Sequence, residues 1–462
     1  MSKMRDEFLL SRRGLIHALG AAAIAGVPGF AGGGTGDPRS PHPKSAAIIT
    51  DGYTDKQSYR PGDLVTLYLN AASPQSDTFL YLTDYAGRSV FTFPANVVPQ
   101  TAVGPIPWET GFGYQASVSF TMPDLPSGVY LVEGIIPLIV KTAPSQYAQV
   151  VVLYPTNTVA AYNSAGGLSM YSQPQPATTV SFQRPSIRGN QLAFFESFLA
   201  WFAGLDLHYS LRYIADIDLE DYNEIRAAKL LLVIGHSEYW TRVAREHFDQ
   251  FVLSGGNALL LSGNNMWWQV RYSEDLSQMI CYKRVPDPVA DPLLQTINWP
   301  APSLNYPVLP SIGGDFLHGG FDGDGFHVLS PNSPIFRGVA VKSGDLIWMP
   351  TTEYDGAPLL NSPVSSGEPR LDLSALGVYR AEIIGYARCD ASDSAEGTTE
   401  VGDHMGTWIA SQRTATSGVV INGASTNWCS DTGVDGEDAV RVRQIIRNMI
   451  EILANHESVF VA

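Results

Sequence analysis

Two short polar stretches hold the residue types that hydrolytic chemistry needs: His236-Ser237-Glu238 and Ser262-Gly263-Asn264-Asn265. In an extended backbone alternate side chains share a face, so His236 and Glu238 point the same way. An imidazole beside a carboxylate can act as base and acid, or as a metal ligand with its hydrogen-bonded support. Asn264 supplies an amide suited to a substrate carbonyl or an oxyanion. Ser237 is a poor nucleophile, because a serine-hydrolase elbow needs glycine two places after the serine and Tyr239 stands there. No cysteine lies near, which leaves an activated water as the attacking group. The competing reading is structural: His236 and Glu238 cap the next helix and satisfy one another.

The elements that must place these residues surround them. Residues 230–234 are an apolar run typical of a strand buried on both faces, ended by Gly235. Thr241 opens a segment with Ala244, Phe248, Phe251 and Val252 at helical spacing, which Gly255-Gly256 stops. Residues 258–261 are a second buried strand. The spacing predicts a βαβ unit with parallel strands. Both polar stretches then sit at the carboxyl ends of neighbouring strands, where open α/β sheets bind ligands. Trp267 and Trp268, just beyond, either line an apolar pocket or belong to the core.

Short strands at 64–69, 79–83, 118–122 and 129–132, separated by turns such as Asp124-Leu125-Pro126-Ser127-Gly128, predict an immunoglobulin-like β-sandwich over residues 48–154. Alternating strand and helix signals then predict an α/β domain with a mostly parallel sheet over 155–462. The texture changes at a buried strand, 149–153, at the end of the sandwich span; a hydroxyl-rich loop at 161–171 and an aromatic helix at 191–203 follow. A strand at 208–214 follows, with Asp216 and Asp218 just beyond it, then a late strand at 419–423 and a closing helix at 437–454. Residues 273–400 are rich in proline and glycine. Asp322-Gly323-Asp324-Gly325 has calcium-loop spacing without the closing glutamate, so solvated turns are expected there.

A chain of 462 residues exceeds one ordinary core. Its net charge of -16 argues against nucleic acid or an anionic membrane surface as partner. Cys281, Cys389 and Cys429 show no metal-ligand spacing and allow one disulfide at most. Near the start, Ser11-Arg12-Arg13-Gly14-Leu15-Ile16 precedes a mild apolar segment and a Gly/Pro-rich stretch. That is the form of a twin-arginine export signal, expected over residues 1–36 with a linker over 37–47. It implies a periplasmic or secreted protein, without membrane contact after export, that crosses the membrane folded.

The string Gly235-His236-Ser237-Glu238-Tyr239-Trp240 resembles the large (beta) subunit of N,N-dimethylformamidase and the domain family around it. So do Ser262-Gly263-Asn264 with Trp268-Gln269-Val270-Arg271, Ala161-Tyr162-Asn163 with Tyr171, Ser181-Phe182-Gln183-Arg184-Pro185 and Ala215-Asp216-Ile217-Asp218-Leu219. Gly423-Ala424-Ser425-Thr426-Asn427-Trp428 matches as well. The resemblance implies an amidotransferase-like (flavodoxin-like) α/β domain that hydrolyses a small-molecule amide with mononuclear iron held by two tyrosines and a glutamate. On that analogy Glu238 is a metal ligand, His236 the acid/base and Asn264 the polarising group. Tyr162 is one tyrosine ligand, and Tyr130 or Tyr171 the other. Tyr171, Trp267 and Trp268 are candidates for substrate contact. The family loop reads His-Asp-Glu-Tyr, and here Ser237 replaces the aspartate. The expectation is thus an exported, metal-dependent amidohydrolase, compatible with a homo-oligomer. The alternative is a secreted, non-catalytic protein that binds a ligand or glycan in the same pocket.

Overall fold

A computed structural model describes residues 48–143, 145–185, 191–361, 368–391 and 404–460. The expected export signal and linker, residues 1–47, lie outside them. The N-terminal part is two sheets sharing one core. Ile49–Thr54, Leu64–Ala71 and Val118–Thr121 form a three-stranded sheet. Five further strands, Ser58–Tyr59, Ile136–Val140, Gly128–Val132, Gln75–Thr83 and Ser89–Val97 in spatial order, form the other. Strict alternation along Leu64–Ala71 buries Val65, Leu67 and Leu69, which join Leu80, Leu82, Phe93 and Leu138 of the facing sheet.

From residue 150 onward the strands are β1 (Val150–Tyr154), β2 (Thr179–Ser181), β3 (Leu211–Ala215), β4 (Leu230–His236), β5 (Tyr239–Thr241), β6 (Asn257–Gly263) and β7 (Trp268–Tyr272). They continue as β8 (Gln278–Ile280), β9 (Asp315–Val328), β10 (Leu346–Gly356), β11 (Arg380–Ala391), β12 (His404–Gln412) and β13 (Val419–Asn422). Nine of them make one sheet in the order β3-β1-β4-β6-β13-β12-β11-β9-β10. The fold is mixed α/β, with more strand than helix. The strand β1, grouped with the sandwich in the sequence-based division, pairs inside this sheet between β3 and β4.

The expected βαβ unit is present. Strands β4 and β6 run parallel in register from Leu230↔Asn257 to His236↔Gly263, every residue of both being buried. Helix α3 (Arg242–Leu253) joins them, N-capped by Thr241, whose Oγ1 accepts from Ala244 N at 3.1 Å. The preceding helices are α1 (Thr156–Tyr162) and α2 (Glu196–Phe202), and α4 (Ala439–Ala454) closes the chain.

The sheet is not mostly parallel. Its pairings from β3 to β13 are parallel, and those from β13 to β10 are antiparallel. The antiparallel half comes largely from the proline- and glycine-rich stretch 273–400. Asp322-Gly323-Asp324-Gly325 lies inside the 14-residue strand β9 rather than in solvated turns. Its glycines permit backbone approaches that a side chain would block: a Cβ on Gly319 would fall 1.9 Å from Tyr354 O, and one on Gly320 1.9 Å from Asp390 O. The three cysteines are unpaired. Among the described residues no helix is long and apolar enough to cross a membrane.

Gly235 is the penultimate residue of β4, still paired with Ser262 of β6. It adopts φ +75°, and a Cβ there would lie 2.6 Å from the ring carbon Cδ1 of the buried Phe195. Gly235→Ala therefore combines a left-handed backbone with overpacking and costs about 2–4 kcal/mol. Urea unfolding reads this as a lowered midpoint at constant slope; an unchanged midpoint would contradict it.

Candidate active site

Beyond Gly235 the chain carries His236 and Glu238 to one side of the strand end, as alternation requires. His236 Nε2 lies 3.4 Å from Glu238 Oε2, and both side chains are buried. The imidazole is oriented from behind: its Nδ1 sits 3.0 Å from the Gly263 carbonyl, the residue paired with it across the sheet. A carbonyl only accepts, so Nδ1 carries a hydrogen and Nε2 faces the carboxylates.

The Glu238 carboxylate gathers three donors. Tyr171 Oη lies 2.6 and 2.7 Å from its two oxygens, Trp268 Nε1 donates to Oε1 at 2.9 Å, and Tyr162 Oη donates to Oε2 at 3.1 Å. The Tyr162 and Tyr171 rings stack at 4.0 Å, which brings their hydroxyls to the same carboxylate. Tyr239 Oη donates to Tyr171 Oη at 2.7 Å and extends the chain.

Tyr162 occupies the last turn of α1, and that short helix is pinned at both ends. At its start, Asp216 Oδ2 accepts from Asn157 N at 2.7 Å. At its end the buried Arg184 guanidinium donates to the Ala160 and Asn163 carbonyls, each at 2.8 Å. The Ser-Phe-Gln-Arg-Pro and Ala-Asp-Ile-Asp-Leu motifs are thus fittings for the helix that aims Tyr162. Asp218 does a different job, accepting from Ser58 Oγ at 2.9 Å and Lys141 Nζ at 2.5 Å of the N-terminal part.

A second carboxylate closes the cluster. Glu353, on β10, lies 3.6 Å from His236 Nε2, and its Oε2 accepts from Asn264 Nδ2 at 3.0 Å. Asn264 holds φ +49° just past the end of β6. One amide hydrogen of Asn264 is therefore committed to Glu353, while its Oδ1 is buried without a partner.

A family model described as N,N-dimethylformamidase beta subunit-like, C-terminal, matches residues 83–437. The chain belongs to this family. No curated protein matches it. Among solved structures, a ThuA-like protein from Bacteroides uniformis ATCC 8492 is similar over 67% of this chain and 95% of its own, with 10% identity and a TM-score of 0.30. The span matched by the N,N-dimethylformamidase beta subunit-like model holds every member of the cluster, from Tyr162 to Glu353.

Of the residues singled out in the sequence, the cluster joins His236, Glu238, Asn264, Tyr162, Tyr171 and Trp268. Tyr130 is elsewhere: it lies in the sandwich core, and its hydroxyl donates to the Pro126 carbonyl at 2.7 Å. It is not a partner of Glu238, whereas Tyr171 is. Trp267 is 1% exposed and packs edge-on against Trp268 and Phe316, a core role that leaves no ring face for substrate. Trp268 uses its indole N–H on Glu238. Glu353 and Tyr239 were not found from sequence. Tyr239 adjoins Glu238, where alternation alone would turn it away, and Glu353 sits in the glycine-rich stretch.

Charge and burial oppose one another here. Burial first, then the Glu238 carboxylate, raises both Tyr162 and Tyr171 well above the ordinary phenol value, so both are neutral in the ion-free protein. Burial also disfavours a charged His236, but Glu353, Glu238 and the Gly263 carbonyl outweigh it and lift the imidazole to about 9. Burial pushes Glu238 up, yet His236, Lys283 and Tyr171 bring it below its usual value. A histidine raised in the fold contributes stability that is complete below its unfolded value of about 6.5 and lost as pH rises through about 9. In ion-free protein, NMR titration of the His236 ring should therefore place it near 9, and Glu353→Gln should lower it. A ring titrating at or below about 6.5 in the unaltered protein would contradict this charge balance.

Proposed function

We propose that this member of the N,N-dimethylformamidase beta subunit-like family is an exported hydrolase of a small amide C–N bond. In this reading Tyr162, Tyr171 and Glu238 hold one iron ion. The observation that carries it is the convergence of two phenol hydroxyls on one buried carboxylate, beside an imidazole and a second carboxylate. Among the described residues, no group of three or more His, Cys, Asp and Glu could hold a metal. Two tyrosines and a glutamate offer a different set: hard oxygen donors already within 3.1 Å of one another's carboxylate partner, which suits a hard cation. Both phenols must lose a proton to bind it, so uptake weakens in acid.

When bound, such an ion polarises an amide carbonyl and makes water a better nucleophile at neutral pH. The protein's own groups handle the protons. His236, its Nδ1 hydrogen held by the Gly263 carbonyl, presents Nε2 to the site and in this reading supplies a proton to the departing nitrogen. Glu353, with 18% of its side chain exposed, is the carboxylate on the open side and accepts the proton of the attacking water. Asn264 orients Glu353 through Nδ2 and keeps its Oδ1 as an acceptor. Burial of His236 and Glu238 keeps bulk water from competing for these hydrogen bonds. The same reading takes the N-terminal sandwich as immunoglobulin-like, the remainder as amidotransferase-like, and residues 1–36 as a twin-arginine signal.

The first test is elemental analysis and a visible spectrum of the purified protein, with near-stoichiometric iron and a tyrosinate charge-transfer band expected. Tyr162→Phe or Tyr171→Phe should lose both, and lowering the pH should release iron from the unaltered protein. A folded, colourless, iron-free protein sinks the metal assignment. On an amide panel, His236→Ala and Glu353→Gln should each lower kcat roughly 10²–10⁴-fold while the fold is retained. Full activity in either would remove that residue from the mechanism. For export, replacing Arg12 and Arg13 by lysine should leave the precursor in the cytoplasm; undiminished export would refute the twin-arginine reading.

A further inference from the structure

One cation sits directly behind the tyrosine pair. Lys283 Nζ lies 3.5 Å from the ring centroid of Tyr171, 5.1 Å from Trp268 and 5.3 Å from Tyr239. All are within the range where a ring face attracts an ammonium. A hydrogen bond to the Met170 carbonyl at 3.0 Å holds the ammonium there, on the backbone next to Tyr171 itself. The three rings have a common feature. Tyr171 and Trp268 both donate to Glu238, and Tyr239 donates to Tyr171. The cation therefore lies against the two rings that donate to Glu238 and a third that reaches it only through Tyr171.

This arrangement has electrostatic and geometric consequences. Glu238 and Glu353 bring two carboxylates within 3.6 Å of a single imidazole, and the Lys283 charge offsets part of that excess. A ring pressed by an ammonium on one face and stacked on Tyr162 on the other has little freedom to swing. We propose that Lys283 is a positioning residue: its ammonium, clamped by Tyr171, Trp268, Tyr239 and the Met170 carbonyl, fixes the Tyr171 hydroxyl on Glu238 and supplies the counter-charge of the oxygen-donor site. It touches neither substrate nor reacting atoms, and acts through Tyr171. The counter-charge part rests on the iron reading above; the positioning part does not.

Lys283→Met keeps the length of the side chain and removes the charge, Lys283→Gln is a polar second choice should the first fold poorly, and Lys283→Arg restores a cation. The deciding readout is the crystal structure of the metal-free variants. Tyr171 Oη is expected to leave hydrogen-bond distance of Glu238 in the Met or Gln variant and to return in the Arg variant. A Met or Gln variant that keeps the 2.6–2.7 Å contacts overturns the proposal. Where the unaltered protein binds iron, the neutral variants should bind it roughly 10–100-fold more weakly with a shifted tyrosinate band, as expected when a group supporting a ligand is lost. Unchanged iron affinity and band overturn the counter-charge role. An unaltered protein that takes up no iron defeats the metal reading alone, because the crystallographic comparison still decides whether Lys283 positions Tyr171.

Discussion

A buried, ionised carboxylate is the constraint around which this site is built. Removing a carboxylate from water costs several kcal/mol unless hydrogen bonds and opposite charge replace its hydration. Glu238 receives both: two phenol hydroxyls, an indole N–H, the imidazole of His236 and the charge of Lys283. Removing any one donor leaves the others with an under-satisfied anion, so the cluster is interdependent. The same need explains why residues from α1, the following loop, β4, β7 and β10 all end at one point.

The scaffold meets that need by dividing the work. The parallel strands β4 and β6, buried throughout, deliver His236-Ser237-Glu238 and Asn264 at adjacent ends in fixed register. Helix α1, locked by Asp216 and Arg184, delivers Tyr162. The antiparallel half of the sheet delivers Glu353. Close approach is built into the backbone: a Cβ on Gly263 would fall 2.6 Å from Glu353 O and 2.7 Å from Thr426 N. Glycine there lets the strand carrying Glu353 lie against the end of β6.

Much of this was legible in the sequence wherever local pattern decides the structure. The apolar runs of β4 and β6, the cap at Thr241 and the glycine stops define the βαβ unit, and alternation places His236 and Glu238 together. Tyr162 was reached through a family motif rather than through physics. Tyr130, on a strand already expected in the sandwich, turns its ring into the sandwich core and does not reach Glu238. Glu353 was missed because glycine is read as a turn former, whereas in β9 it serves close strand contacts. Chemistry assembled from local motifs can be found by reading along the chain. The Asn264–Glu353 contact, 89 residues apart, cannot.

That separation also bears on how the molecule is made. Strand β10 lies at one edge of the nine-stranded sheet, yet its end bridges back through Tyr354 to Ser425, and Thr426 N bonds the Glu353 carbonyl. These contacts satisfy backbone groups at the C-terminal end of β10 that an edge strand would otherwise leave open. Closing a loop of that length costs more chain entropy than pairing β4 with β6. Bringing Glu353 to Asn264 therefore carries a larger chain-entropy cost than aligning the βαβ unit that supplies His236.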